Sequence, residues 1–181
     1  QVNVDEYPSI VSVLEQACEH YRHNPAFTNF GTALSYDDID RLSKRFAGYL
    51  LGELKLKKGD RVALMMPNVL QYPIAIFGVL RAGLTVVNVN PMYTPRELKH
   101  QLRDSGAKAI VVMEMFAHVL AEVIADTPVQ RVVTTCVGDL LAFPKGTVMN
   151  FVLRHVKRVI PEYRLPSAIG FRQALELGEQ R

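Results

Sequence analysis

The sequence predicts an α/β fold: a doubly wound, mostly parallel sheet flanked by helices, with a small hairpin near the amino terminus. Two observations predict it. Short runs that are apolar on both faces recur along the chain, and amphipathic segments of helical length separate them. Strands of a parallel sheet are buried on both faces, and each connection between them needs a crossover, usually a helix. We therefore expect one sheet covered by helices on both sides.

Composition excludes several classes of protein. With 181 residues, 49% hydrophobic and 22% charged, the chain can bury a core and is not intrinsically disordered. The net charge of +3 is too small to indicate a nucleic acid partner. Cys18 and Cys136 form neither a disulfide framework nor a zinc ribbon, so we expect a reduced, cytoplasmic setting. We expect no secretory signal at the start, and Arg81 interrupts the apolar stretch at residues 74–89 before it reaches membrane-spanning length.

The first elements are a helix, a hairpin and a second helix. Apolar residues at helical spacing predict a helix over residues 9–17. Residues 26–30 and 33–36 read as hairpin strands around Gly31-Thr32. Ser35 and Asp38 have the spacing of a capping box, which predicts the start of a strongly amphipathic helix reaching Leu50.

Strands and helices then alternate. The predicted strands cover residues 61–66, 84–89, 109–113 and 131–137, and the helices between them run from Asn68 to Gly83, from Thr94 to Gly106, and over residues 116–125. The best local signal is at Thr94. Its hydroxyl can cap the helix, Pro95 suits the first helical position, and the Glu97 side chain can accept a hydrogen bond from the Thr94 amide.

The regular pattern stops after Gly138. We therefore divide the chain into an α/β subdomain, residues 1–138, and a connecting segment, residues 139–181. Residues 171–177 predict one more short helix. Residues 145–164, called the basic segment here, hold five basic residues and one acidic residue, and Val148, Phe151 and neighbouring residues mark an apolar helical face.

The basic segment has two interpretations. Lys145, Arg154, Lys157 and Arg158 could contact an anionic membrane surface or a partner. The alternative is that the apolar face packs on a neighbouring subdomain and the charges are only solvated.

Motifs for catalysis are missing from the sequence. It contains no G-x-G-x-x-G, no Walker-type phosphate loop and no G-x-S-x-G. Cys18, His20 and His23 lack a second ligand group, so a solvated helix end is favoured over a metal site. Solvation or capping is the default role for Glu114 and Glu122. We expect no catalytic, cofactor-binding or metal-binding residue in this chain.

Several blocks nevertheless resemble a known family. They occur in the family's order, cover nearly the whole chain and read LKKGDRVALMMPN (residues 56–68), LQYP (70–73), LRAG (80–83), VVNVNP (86–91), YTPREL (93–98), DSGA (104–107), FAH (116–118) and KGT (145–147). The sequence thus resembles the amino-terminal region of bacterial long-chain fatty acid CoA ligases, in the adenylate-forming superfamily. The blocks around Tyr72 and Lys145 favour the fatty acid branch.

The resemblance implies a parent enzyme that joins a fatty acid to coenzyme A through an acyl adenylate, using ATP and Mg²⁺. In that family the phosphate loop and the catalytic residues come later in the chain, so the resemblance implies an inactive amino-terminal fragment. We also expect a homodimer and contact with the inner membrane surface. The alternatives are a non-catalytic interaction or membrane-docking module, and a fragment of another acyl-activating ligase.

Overall fold

The structure is a computed structural model that describes residues 7–180. Its helices are α1 (Ile10–His20), α2 (Tyr36–Gly52), α3 (Gln71–Arg81), α4 (Pro95–Ser105), α5 (Ala117–Val123), α6 (Lys145–Phe151) and α7 (Phe171–Glu179). Its strands are β1 (Pro25–Asn29), β2 (Thr32–Ser35), β3 (Arg61–Met65), β4 (Thr85–Asn88), β5 (Ala109–Met113), β6 (Arg131–Thr135) and β7 (Ile169–Gly170). Short 3₁₀ turns, Glu114–Phe116 and Ile124–Asp126, flank α5, and a π-helical turn, Val152–Val156, continues α6.

Strands β3 to β7 form one five-stranded sheet in the order β4-β3-β5-β6-β7, and every neighbouring pair is parallel. The predicted parallel sheet is therefore confirmed. Strand β7 was not anticipated, because two residues are too short to give an apolar run. Ile169 pairs with Val133 and places this strand at the edge of the sheet.

The two faces of the sheet are covered by separate hydrophobic clusters. Val62 and Leu64 of β3 belong to the cluster that includes residues of α1, α2, α3 and α7. Ala63 and Met65 point the other way, into the cluster formed with α4 and α5. This alternation follows from the two-residue period of a strand and makes the sheet doubly wound.

The hairpin of β1 and β2 is antiparallel, and its turn differs from our prediction by one position. Phe30 and Gly31 occupy the two central positions, with φ of +46° and +70°. Positive φ at both residues gives a turn whose twist matches that of the flanking strands. The bulky Phe30 concealed this turn in the sequence.

Helix starts were predicted well where a side chain caps them. Ser9, Ser35 and Thr94 each begin a helix with a reciprocal capping box. Our prediction that α3 starts at Asn68 was wrong. The Val69 amide donates to the Pro67 carbonyl, which keeps this stretch out of the helix, and α3 begins at Gln71 without a side-chain cap.

The carboxy-terminal helix returns to the body of the molecule. Phe171 of α7 is fully buried, and its ring is tilted against the ring of Phe46 in α2, with centroids 5.0 Å apart. Across residues 7–180, none of the helices combines the length and the apolar character needed to cross a bilayer. The division of the chain at residue 138 stays a prediction.

Candidate functional site at the carboxyl edge of the sheet

The strand order sets where a ligand site is expected. From β3 the chain crosses to β4 on one side, and from β4 it returns past β3 to β5 on the other side. In open α/β sheets, the crevice outside the carboxyl ends of the strands at this change of direction is the usual ligand site. Glu114 directly follows β5, and Cys136 directly follows β6, so both lie at this edge.

Glu114 is the centre of a polar cluster, which we call the Glu114 cluster, made with Cys136, Arg154 and Tyr163. Its Oε2 atom accepts a hydrogen bond from the Cys136 thiol at 2.8 Å and forms an ion pair with Arg154. Only 16% of the Glu114 side chain is exposed. The expectation that Glu114 is merely solvated or capping was therefore wrong.

Two members of the cluster, Cys136 and Tyr163, have raised pKa values. Burial, and then the hydrogen bond and charge of Glu114, raise the pKa of the Cys136 thiol. Burial and the same carboxylate raise the pKa of Tyr163 to about 12. The thiol and the phenol therefore stay protonated at neutral pH, and Cys136 is a poor nucleophile. The cluster is therefore suited to holding residues in position rather than to making or breaking covalent bonds.

A second polar group, around Asp139, joins the end of β6 to α6. Asp139 Oδ2 accepts from the Thr135 hydroxyl at 2.9 Å and from the Cys136 amide at 2.8 Å. Asp139 Oδ1 accepts from Asn150 Nδ2 at 2.9 Å, and Asn150 Oδ1 accepts from the Gly138 amide at 2.7 Å. These four bonds fix the start of the connecting segment against the sheet.

Gln71, at the first position of α3, extends this network into the core. Its Nε2 atom donates to the Thr135 hydroxyl at 3.0 Å and to the Cys136 carbonyl at 2.7 Å. The side chain is fully buried, and its Oε1 atom has no partner among the described residues. The start of α3 is thus joined to the end of β6 across the edge of the sheet.

The four basic residues singled out from the sequence have different surroundings. Arg154 is paired with Glu114, and Lys145 donates a hydrogen bond to the Phe30 carbonyl of the hairpin turn. Lys157 and Arg158 are exposed. Arg154 and Arg158, with Tyr163, line an open cavity of about 860 Å³ that does not include Lys145. Of the four basic residues, the structure therefore brings Arg154 and Arg158 together at one cavity.

Sequence reasoning missed the pairing of Glu114 with Arg154. The available signal was that Glu114 follows a strand whose five residues are all buried, which places a carboxylate at the carboxyl edge of the sheet. A carboxylate at such an edge needs a partner, and Arg154 belongs to the basic segment already recognised.

A resident metal ion does not fit the described residues. Between residues 7 and 180, no three or more His, Cys, Asp or Glu side chains are grouped so that they could hold one. Two carboxylates at the sheet edge are already engaged, Glu114 by an arginine and a thiol, and Asp139 by a hydroxyl, a backbone amide and an asparagine side chain. No step that uses Mg²⁺ is therefore assigned to this part of the chain.

Curated relatives match almost the whole chain. A long-chain fatty acid CoA ligase of Salmonella typhimurium is 54% identical over 178 residues, and one of Escherichia coli O6:H1 is 55% identical over the same number. Each alignment covers 98% of this chain but 32% of the relative. The chain thus spans about a third of the length of the curated relatives it matches.

Solved structures share the fold. An anthranilate CoA ligase, solved in complex with anthranoyl-AMP, superimposes with a TM-score of 0.76 over 97% of this chain and 30% of its own, at 15% identity. Identity this low supports the architecture and nothing finer. The family model described as AMP-binding enzyme matches residues 14–166, most of the sequence. The chain therefore belongs to the AMP-binding enzyme family.

Proposed function

We propose that these residues are part of a long-chain fatty acid CoA ligase, which uses ATP and Mg²⁺ to convert a fatty acid and coenzyme A into acyl-CoA, AMP and pyrophosphate through an acyl adenylate. One observation carries the proposal: more than half of the residues are identical, over 98% of this chain, to proteins named long-chain fatty acid CoA ligases. Their identity far exceeds the 15% shared with the anthranilate ligase.

The part of this chain in that reaction is structural. The parallel sheet and its two helix layers form a rigid frame, and the Glu114 cluster and Asp139 hold the connecting segment against its carboxyl edge. ATP, Mg²⁺ and coenzyme A would be bound by the complete enzyme. The 181 residues alone should be folded and inactive.

The experiment compares the 181-residue chain with the natural protein that contains it. Both are given oleate, ATP, Mg²⁺ and coenzyme A, and pyrophosphate release is measured. The proposal expects turnover by the natural protein and none by the isolated chain. Benzoate in place of oleate is the control for acyl class, and a natural protein that prefers benzoate would contradict the long-chain assignment.

A second candidate function is docking of the basic segment on an anionic membrane, at the cytoplasmic face of the inner membrane. Lys157 and Arg158 are exposed beside Phe151, Val156 and Val159, whose exposed fractions are 59%, 63% and 39%. Exposed apolar and basic side chains on one segment are typical of a surface that rests on lipid, where each Lys or Arg contributes about 1 kcal/mol.

Vesicle flotation tests docking. The chain should float with vesicles that contain phosphatidylglycerol and not with pure phosphatidylcholine, and Lys157→Glu with Arg158→Glu should abolish flotation. Lys55→Glu with Lys58→Glu, on the loop before β3, is the matched control. Flotation that survives the first pair of changes would contradict docking through this segment.

Two further exposed apolar residues support a homodimer of the chain. Phe143 and Val148 are 87% and 56% exposed, and large exposed apolar side chains are typical of an interface. Sedimentation equilibrium should give twice the monomer mass at high concentration. Phe143→Ser with Val148→Ser should give the monomer, and a wild-type chain that stays monomeric would contradict the dimer.

A further inference from the structure

The open cavity of about 860 Å³ lies within the basic segment, at the π-helical turn and the irregular chain after it. Its polar lining residues are Arg154, His155, Arg158, Glu162 and Tyr163. Two guanidinium groups and one carboxylate therefore line it, and the imidazole and the phenol add further hydrogen-bonding groups. A lining of this kind favours a ligand that carries negative charge.

The backbone around the cavity is irregular at two places. Arg158 has a φ of +51°, in the left-handed region that a residue with a Cβ atom rarely adopts. The π-helical turn just before it, Val152–Val156, is also a rare geometry, and it carries Arg154 and His155 to the cavity. Both kinds of irregular backbone occur frequently at functional sites. Their position beside a basic cavity is typical of a binding site.

The two arginines differ in how much of their charge is available. Arg154 is paired with Glu114, whose carboxylate offsets the charge, yet 44% of the Arg154 side chain is exposed. A guanidinium carries several N–H donors, so this pair leaves donors for a ligand. Arg158 is exposed and forms no ion pair with any residue in the part of the chain that the structure describes. Its charge is therefore available to an anion.

The surroundings of the cavity favour a lipid over a free anion. The exposed ring of Phe151 packs near the ring of His155, with centroids 4.9 Å apart, so an apolar side chain adjoins the cavity. Val156 and Val159 are also exposed, and each is next in sequence to residues that line it. A free anion makes no use of these apolar groups, whereas a membrane covers them while the cavity holds a headgroup.

We propose that this cavity binds the phosphate of an anionic phospholipid and prefers a phosphomonoester headgroup, as in phosphatidic acid. Guanidinium groups match phosphate oxygens through paired hydrogen bonds, and a monoester presents more terminal oxygens and a larger negative charge than a diester. The choice of a lipid rests on the membrane docking proposed above. Diffuse attraction of basic side chains to an anionic surface does not distinguish headgroups of equal charge, so headgroup preference is the property that the cavity adds.

Calorimetric titration of the 181-residue chain with dihexanoyl phosphatidic acid, kept below its micelle-forming concentration, measures the site without a membrane. One molecule should bind per chain, and dihexanoyl phosphatidylcholine should not bind. Arg158→Gln should weaken binding about tenfold or more, because it removes charged hydrogen bonds. Lys157→Gln removes the same charge from a neighbouring residue outside the cavity lining. This matched control should weaken binding by about twofold or less.

Glu162→Gln is the second variant, because Glu162 is the one acid among the lining residues. Its removal should strengthen binding of phosphatidic acid, a change that misfolding cannot produce. Absence of saturable binding, or equal losses in Arg158→Gln and Lys157→Gln, would overturn the site. Displacement of the lipid by inorganic phosphate at equal concentration would overturn the choice of a lipid, since phosphate alone would then be sufficient.

Vesicle flotation separates the cavity from docking in general. With surface charge matched, the cavity predicts stronger flotation on vesicles that contain phosphatidic acid than on vesicles that contain phosphatidylglycerol. Equal flotation on both would support docking and overturn the headgroup preference. A chain that binds dihexanoyl phosphatidic acid but floats with neither kind of vesicle would contradict docking and support the headgroup site.

Discussion

Gly178 of α7 packs on the Arg45 carbonyl of α2 so closely that a Cβ atom on Gly178 would lie 1.8 Å from the carbonyl oxygen. Gly48, one turn further along α2, meets the Gly178 carbonyl in the same way, with 2.7 Å to its own hypothetical Cβ atom. The two helices therefore cross backbone against backbone. This crossing secures the carboxy-terminal helix to the rest of the molecule.

Gly178→Ala should destabilise the chain by about 1–3 kcal/mol or more, because the added methyl group must push the helices apart. Urea unfolding followed by circular dichroism measures the change. Gly170→Ala is the matched control, since a Cβ atom there meets nothing within 4 Å. Similar unfolding midpoints for both variants would show that α7 does not pack on α2 as described.

Asp139→Ala should loosen the connecting segment. It removes the acceptor for the Thr135 hydroxyl, the Cys136 amide and Asn150, and each unsatisfied buried donor costs about 1–3 kcal/mol. Trypsin should therefore cleave faster after Lys145 and Arg154. Asp37→Ala is the control, because its ion pair with Arg22 is exposed and is worth about 1 kcal/mol or less. Unchanged cleavage in Asp139→Ala would contradict this role.

The stability contributed by Asp38 should depend on pH. Burial opposes its ionisation, but hydrogen bonds from the Ser35 hydroxyl and amide, and from Arg41, outweigh burial and lower the pKa. A carboxyl whose pKa is lower when folded stabilises above its unfolded pKa, about 3.9, and loses that contribution as the pH falls through the folded pKa.

Asp38→Asn should therefore be less stable than wild type at pH 7, and the difference should shrink as the pH falls below about 4. Urea midpoints measured across this pH range test it. Ser35→Ala, which removes the other half of the capping box, should itself cost about 1 kcal/mol at pH 7. A wild-type advantage that is constant with pH would rule out the ionised carboxylate as its source.

Cys136 should react slowly with Ellman's reagent in a Cys18→Ser background. Burial and the Glu114 carboxylate both raise the pKa of its thiol, so little thiolate is present. Glu114→Gln should speed the reaction by removing the charge, although burial remains. Cys18 alone, in a Cys136→Ser background, is the control and should not respond to Glu114→Gln. Fast labelling of Cys136 in the presence of Glu114 would contradict the cluster.

The sequence predicted the strands of the sheet and the helices between them because local residue patterns and tertiary packing favour the same structure in these segments. Strand β5 coincides with the predicted residues 109–113, since a five-residue apolar run rich in β-branched residues favours a buried strand over a helix. Thr94 and Glu97 cap α4 as expected, because this signal needs only neighbouring residues. The family-like blocks pointed to the correct family because they occur in the family's order along nearly the whole chain.

Contacts that join distant residues were not predictable in this way. Glu114 and Arg154 are 40 positions apart, and Lys145 meets Phe30 across 115 positions. Neither pairing leaves a local pattern. Strand β7 was missed because Ile169 joins the sheet through its pairing with β6 rather than through its own hydrophobicity. The hydrogen bond from Asn29 of the hairpin to the Asn68 carbonyl likewise joins residues 39 positions apart.

The most direct test of the central claim is pyrophosphate release from ATP by the natural protein that contains these residues. With oleate, Mg²⁺ and coenzyme A, we expect pyrophosphate and oleoyl-CoA in equal amounts, and we expect neither from the 181-residue chain alone. A natural protein that activates no fatty acid, or an isolated chain that releases pyrophosphate by itself, would contradict the account.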